Sequence, residues 1–230
     1  MSNLLVIDTS SSICTTVLVQ NELTAVKQIE GTRAHGQFLL SNIDDLVKHS
    51  NFQLESLDAF AVVAGPGSFT GIRIGIGVVQ GLAAALNKPV ILLSSLEWLA
   101  LSAFNKHGCE AVMAGRIARD SEYYTGFYMR TPEHAQHSLG PEMVGSALSI
   151  MLPEEGKNKS IVAVGDAWLN LDAFDPELIA TFAVIDTELE GNTGSLCELA
   201  ECLYRSGDLV SAETAVPNYL KENMNYKTAI

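Results

Sequence analysis

Hydrophobic and polar positions along the chain change period several times, and each change marks an element. An unbroken apolar run, Leu4-Leu5-Val6-Ile7, followed by Asp8-Thr9-Ser10, predicts a buried strand over residues 4–10 that ends in an acid and two hydroxyls. A second strand over 14–19, a turn at Asn21-Glu22 and a third strand over 23–30 complete a meander. Over 33–50 the period changes to that of a helix, with Leu39, Ile43, Leu46 and Val47 on one side and Asp44, Asp45 and Lys48 outside them. A strand over 59–64, a helix reaching Asn87, a strand over 89–93 and a helix over 95–106 follow, giving the order βββαβαβα.

After His107-Gly108 the pattern begins again. Strands are expected over 111–118, 122–130 and, more weakly, 142–144, then a helix over 145–152 and a charged loop over 153–160. A strand over 161–164, an irregular stretch around Trp168, a strand over 181–185 and a helix over 193–206 close the second half. Two βββαβα units in one chain imply an internal duplication, with two α/β domains facing a cleft. The first domain spans residues 1–106 and the second, partly degenerate, 107–215; the helix over 193–206 is a candidate to pack back on the first. Residues 216–230 form a tail in which Pro217-Asn218-Tyr219-Leu220 is the docking candidate.

One stretch departs from ordinary amphipathic patterning. The strand over 59–64 stops at Gly65-Pro66-Gly67, where glycine permits backbone angles closed to other residues and proline ends strand pairing. The helix that must start there can be capped by Ser68 or Thr70, leaving backbone N–H groups and a positive dipole end, an anion-binding geometry in principle. At 100° per residue, Gly71, Gly75, Val78, Leu82 and Ala85 fall on one side, with Ile74, Gly77, Gly81 and Ala84 beside them and Ile72, Ile76, Val79, Ala83 and Leu86 opposite. Only Arg73, Gln80 and Asn87 form a polar stripe. A helix apolar nearly all round is normally buried, and each interior glycine costs about 1 kcal/mol against alanine, so the four glycines imply close approach of another backbone. Two readings stand: the helix is sandwiched between its own sheet and a neighbouring helix, or a glycine face packs against a second chain.

Composition narrows the function. At 230 residues and 47% hydrophobic the chain can bury a sizeable core. Asp and Glu outnumber Lys and Arg by 27 to 14, a net charge of −13, which makes the chain a poor electrostatic partner for nucleic acid. The N-terminus has no basic signal-peptide region, and the longest apolar stretch, 74–86, is broken by Gln80 and short of the roughly 20 residues of a membrane span. A soluble, cytoplasmic protein with no membrane association is expected. Cys14, Cys109, Cys197 and Cys202 match no zinc or CxxC spacing and read as free thiols.

Chemistry-bearing residues are sparse. Asp8, at a strand end beside small hydroxyl residues, reads either as a cap of its own hairpin or as the acid of a phosphate site. Gly65 to Gly71 lacks the Gly-Lys-Ser/Thr of a P-loop. His134-x-x-His137 lies in a polar loop, and His35 opens a helix with no second candidate ligand near it. Arg116, Arg119, Asp120 and Glu122 form a charged hairpin cluster that would face the cleft.

Several stretches together resemble one family. Ile7-Asp8-Thr9-Ser10, Arg33-Ala34-His35-Gly36-Gln37, the string from Gly65-Pro66-Gly67-Ser68-Phe69-Thr70-Gly71 through Gly77, Gln80-Gly81-Leu82-Ala83, Ala118-Arg119 with Glu122 and Tyr124, and Pro217-Asn218-Tyr219-Leu220-Lys221 are similar to the bacterial TsaB family, also called YeaZ. The resemblance runs from the N-terminus to the tail. It implies an actin-like (ASKHA) α/β fold and a non-catalytic, scaffolding subunit that acts with TsaD and the ATPase TsaE in forming the threonylcarbamoyl group on adenosine 37 of tRNAs reading codons that begin with A. No cofactor would be bound by this chain itself, ATP being used by the complex, and tRNA would be met only through the complex. The expected interface with TsaD, shared with a homodimer, comprises Arg33, His35, Phe38, Leu39, Phe69, Gly71, Ile72, Arg73, Gly75, Ile76, Gly77, Val79 and Gln80. Asp8, Thr9, Ser10, Gly65, Gly67, Ser68, Arg119 and Glu122 would be a vestigial phosphate or nucleotide site. No catalytic or metal-binding residue is expected: where TsaD carries a His-x-x-x-His metal pair, the aligned positions are Ser95 and Leu99. The sequence departs from the family at Ile117, where an acid is usual, and at Ala64, where Gly-Arg is common before the turn. An ATP-dependent small-molecule kinase of the same superfold, resting on Asp8, is the alternative function, and a metallopeptidase a weaker one.

Overall fold

The computed structural model describes residues 2–20, 23–31, 34–119, 121–130, 137–138 and 140–220. Arg33, Asp120, His134 and Lys221, named above, lie outside them. The first half forms β1 (Leu4–Asp8), β2 (Ile13–Gln20), β3 (Leu23–Glu30), α1 (Ala34–His49), β4 (Ala59–Gly65), α2 (Phe69–Leu86), β5 (Val90–Ser94) and α3 (Ser95–His107). Its five strands lie in the order β3-β2-β1-β4-β5. The β1–β2 and β2–β3 pairs are antiparallel, and β1–β4 and β4–β5 are parallel. The second half repeats this topology with β6 (Ala111–Ile117), β7 (Glu122–Met129), the short β8 (His137–Ser138) and β9 (Met143–Ser146), β10 (Ile161–Val164), the single turn α4 (Pro176–Ile179), β11 (Phe182–Asp186) and α5 (Thr193–Ser206). Here β7 pairs antiparallel with β6, β8 and β9, while β6–β10 and β10–β11 are parallel. This duplicated α/β arrangement is the actin-like fold.

Side-chain alternation stacks the layers. Leu5, Ile7, Leu18, Phe60 and Val62 face α1 and α2, where Leu39, Ile43, Ile72, Ile76 and Val79 meet them. From the opposite face of the same sheet, Leu4, Val6, Ala61, Val63, Ile91 and Leu93 meet α3 and α5 through Trp98, Leu101, Leu196 and Leu199. Leu96, Leu99, Ala103 and Phe104 of α3 pack against Val112, Ala114, Tyr128, Val162 and Val164 of the second sheet. Helix α3 is therefore enclosed between the sheets, with Ser94 Oγ capping its first turn.

The second repeat differs from expectation on its outer face. No α-helix forms over 145–152; β9 runs on to Ser146 and a 3-10 turn, Ala147–Ser149, follows it. Eight residues closing on Pro153 are too few to offset helix nucleation, and the residue before a proline is pushed out of the helical region. Further 3-10 turns at Asp166–Leu169 and Leu171–Ala173, together with α4, bring Trp168, Phe174 and Leu178 into the core on that face. The tail follows the first half: Val210 bridges Val90, Gln80 Nε2 donates to Ala215 O at 2.8 Å, and Asn218 N donates to Ala64 O at 2.9 Å.

Candidate functional site

Two regions gather the residues singled out by the sequence: the crevice where β1 and β4 end, and the outer face of α1 and α2. At the first, the chain leaves β4 through a cis Gly65–Pro66 bond and enters α2 under a Ser68 cap, whose Oγ accepts from Gly71 N at 3.2 Å. The β1–β2 hairpin sits directly on this turn. Ser68 N donates to Ser10 O at 2.7 Å, and a Cβ on Gly67 would stand 2.5 Å from that same oxygen, so only glycine fits at φ +157°. Thr9 Oγ1 donates to Gly71 O at 2.8 Å. The helix N-terminus is thus closed by carbonyl oxygens of its own hairpin, the wrong polarity for an anion.

Asp8 is 2% exposed and serves that hairpin: its Oδ1 accepts from Ser10 N at 2.8 Å and Ser10 Oγ at 2.6 Å. Burial pushes its carboxyl above the usual range, while the Ser10 hydrogen bonds and the charges of Arg116 and His35 pull it back. His35, 3% exposed, holds Ser11 O through Nε2 at 2.8 Å. Arg119 stands 6.0 Å from the Phe69 ring centroid, and Arg73 lies 3.8 Å from the same centroid and donates from Nε to Tyr219 OH at 2.7 Å. Glu122 remains in the β6–β7 hairpin, where its N–H and C=O bond Arg119 and Ala118. Gly65 is pinned by the tail, its missing Cβ lying 3.0 Å from Asn218 O.

The second region divides the expected interface in two. Leu39, Gly71, Ile72, Gly75, Ile76 and Val79 are buried in the chain's own core, and His35 in its own hairpin contact, so these seven are not available to a partner. The glycines explain why. A Cβ on Gly71 would fall well under 3.0 Å from Thr9 O, and one on Gly75 would also fall under 3.0 Å from Thr9 Oγ1. Their close approach is to Thr9, just past the end of β1 of the same chain. Gly77 and Gly81 have nothing within 4 Å of a Cβ position. They form an exposed stripe with Thr70, Arg73, Ala84 and Ala85, flanked by half-buried Ile74 and Val78. Beside it α1 exposes Phe38 (37%) and Leu40 (62%). Leu40 was missed by helical spacing because it lies off the Leu39-Ile43 stripe; a large aliphatic on the polar side was the available signal. Gln80 and Arg73 face the tail.

At 18 residues and mean hydropathy 1.5, α2 is long and apolar enough to cross a membrane by length and composition; one face packs on β4, and only a third of its residues are buried. Ser95 Oγ donates to Pro66 O, and Leu99 is 1% exposed in the core between the sheets. Among the described residues no group of three His, Cys, Asp or Glu side chains is placed to hold a metal ion.

A family model described as TsaD, tRNA N6-adenosine threonylcarbamoyltransferase, matches residues 20–186. The tRNA threonylcarbamoyladenosine biosynthesis protein TsaB of Haemophilus influenzae is 31% identical over 97% of this chain and 95% of its own length. That of Escherichia coli K12 is also 31% identical, over 97% and 96%. The solved structure of YeaZ from Pseudomonas aeruginosa superposes with a TM-score of 0.85 at 34% identity, covering 96% of this chain and all of that one. With full-length agreement in sequence and fold, the chain belongs to the TsaB (YeaZ) family.

Proposed function

We propose that this protein is a non-catalytic scaffold in the formation of threonylcarbamoyladenosine at position 37 of tRNA, docking TsaD through the outer face of α1 and α2, with TsaE joining the complex. The observation that carries the reading is an apolar helix whose outward stripe holds Gly77 and Gly81 with no neighbouring atom in the monomer. Each exposed glycine costs the isolated helix about 1 kcal/mol against alanine, and a partner backbone seated against the stripe would recover that cost. Phe38, Leu40, Ile74 and Val78 would supply apolar contact beside it, and Phe69 with Arg73 the rim. On this reading residues 1–106 are the docking domain, 107–215 the supporting one, and 216–230 the tail, of which Tyr219 braces α2 through Arg73. The same face would pair two copies when TsaD is absent. The crevice at Asp8 is then inherited architecture, which disfavours the kinase reading: Asp8 is committed to Ser10, and the α2 N-terminus to Ser10 O.

The test is co-purification of TsaD with Gly77→Leu, beside mass analysis of tRNA nucleosides from a strain whose only copy of this gene carries the substitution. Loss of co-elution at micromolar concentration, with a folded monomer and depleted threonylcarbamoyladenosine, is expected. Unchanged co-elution would sink the interface, and persistence of the nucleoside after deletion of the gene would sink the function. Tight Mg-ATP binding by the isolated protein, lost in Asp8→Ala, would instead favour the kinase.

A further inference from the structure

In a chain with 27 acids and 14 bases, a base that has no carboxylate beside it needs a reason. Among the described residues every lysine but Lys88 is ion-paired with an acid, and so is Arg205. Arg73 and Arg119 are not, although both are exposed and both converge on one ring: their guanidinium carbons lie 3.8 and 6.0 Å from the Phe69 centroid. Phe69 and Arg73 belong to α2, whereas Arg119 comes from the β6–β7 hairpin of the second repeat. Tyr219 of the tail closes the group, its ring 6.0 Å from that of Phe69. Two like charges gathered at one place repel each other, and an anion between them relieves the repulsion.

Arg73 is also held in one pose. It stacks on Phe69 and its Nε donates to Tyr219 OH at 2.7 Å, while its Nη groups have no partner among the described residues. A guanidinium fixed in this way presents a planar fork that matches a carboxylate, with little side-chain freedom left to lose on binding. Arg73 stands in the outward stripe that continues through Gly77 and Gly81, so the group borders the proposed docking face.

We infer that the Arg73–Phe69–Arg119 group is the ionic end of that interface: an aspartate or glutamate side chain of the protein partner seated on α1 and α2 enters here and is held by the Nη edge of Arg73 and by Arg119. This rests on the docking reading above and adds to it the chemistry of the partner surface and a part for the second repeat. A glycine stripe alone gives close approach without register; a charge pair at one end fixes it. The group also favours a foreign partner over a second copy. The acids of α1, Asp44 and Asp45, are already paired with Lys48 and Lys27, and α2 carries none, so another copy's α1–α2 face brings no free carboxylate.

The test is the affinity of purified TsaD for the parent, Arg119→Glu and Arg73→Lys at about 0.1 M and about 1 M NaCl, between which the Debye length falls from about 10 to 3 Å. Comparing variant with parent at each salt cancels the background of the net charge. Arg119→Glu, at an exposed hairpin position, should bind about ten-fold more weakly than the parent at the lower salt, and the gap should narrow to about two-fold at the higher. Arg73→Lys keeps the charge but not the fork, and should weaken binding about five-fold. Parent-like affinity of the folded Arg119→Glu at the lower salt, or a gap that salt does not narrow, overturns the ionic end and leaves docking intact. Binding that Gly77→Leu does not reduce removes the docking reading, and this inference with it. Saturable binding of inorganic phosphate by the isolated chain, lost in Arg119→Glu, would assign the arginines to a small anion and overturn the partner carboxylate.

Discussion

Replacing the glycines of α2 one at a time by alanine should divide the helix into two classes of opposite sign. At Gly77 and Gly81 an added Cβ meets nothing within 4 Å. The whole propensity gain of about 1 kcal/mol is therefore realised, a rise of roughly 2–4 °C in Tm for a chain of this size. At Gly71 the Cβ would collide with Thr9 O and stand 3.2 Å from its carbonyl carbon. Both are backbone atoms of the hairpin that Asp8 and Ser10 tie down, so they yield only at an overpacking cost of about 1–3 kcal/mol. The displacement also breaks the 2.8 Å bond from Thr9 Oγ1 to Gly71 O, worth about 1 kcal/mol. After the same propensity gain, Gly71→Ala should be destabilised by about 1–3 kcal/mol, and Gly75→Ala should follow it in sign. Thermal and urea unfolding of the four variants at low protein concentration checks this. If Gly71→Ala is as stable as Gly77→Ala, the packing of β1 on α2 is wrong. The contrast also chooses the right interface probe: Gly75→Leu would unfold the monomer, whereas Gly77→Leu tests only the outer face.

Three further outcomes are expected. Burial holds the Glu142 carboxyl above its usual range although Ser94 Oγ and Tyr128 OH donate to it; the protonated form is thus favoured by folding, and its contribution is fully present below about 4.5 and lost as pH rises through the raised folded value. The stability of Glu142→Gln relative to the parent should accordingly grow between pH 5 and pH 7, and a pH-independent difference would refute this. Cys14 is 0% exposed with its thiol pushed up to about 11 by burial, so iodoacetamide at pH 8 should leave it unlabelled in the folded protein; labelling at the denatured rate would contradict the burial. Tyr219→Ala, which removes the Arg73 hydrogen bond and the ring 6.0 Å from Phe69, should cost about 0.5–1.5 kcal/mol by urea unfolding; no loss would mean the tail is not braced there.

Local pattern was enough for much of this protein. Apolar runs and period changes gave β10 and α5 to the residue, and the Gly-Pro-Gly string with its companions gave the family. These signals are short-range, since strand burial, helix spacing and caps are each written within a few residues. The helix expected over 145–152 failed where local spacing was outweighed by brevity and Pro153. What the sequence could not decide is which side of a nearly uniform apolar helix faces inward. Gly71 and Gly77 are chemically the same residue on the same helix; one is pressed on Thr9, sixty-two positions away in the chain, and the other is open. Likewise Thr125 reads as an ordinary strand residue, and only the fold leaves its buried hydroxyl without a hydrogen-bond partner among the described residues. Both distinctions depend on long-range packing, which composition and periodicity do not encode.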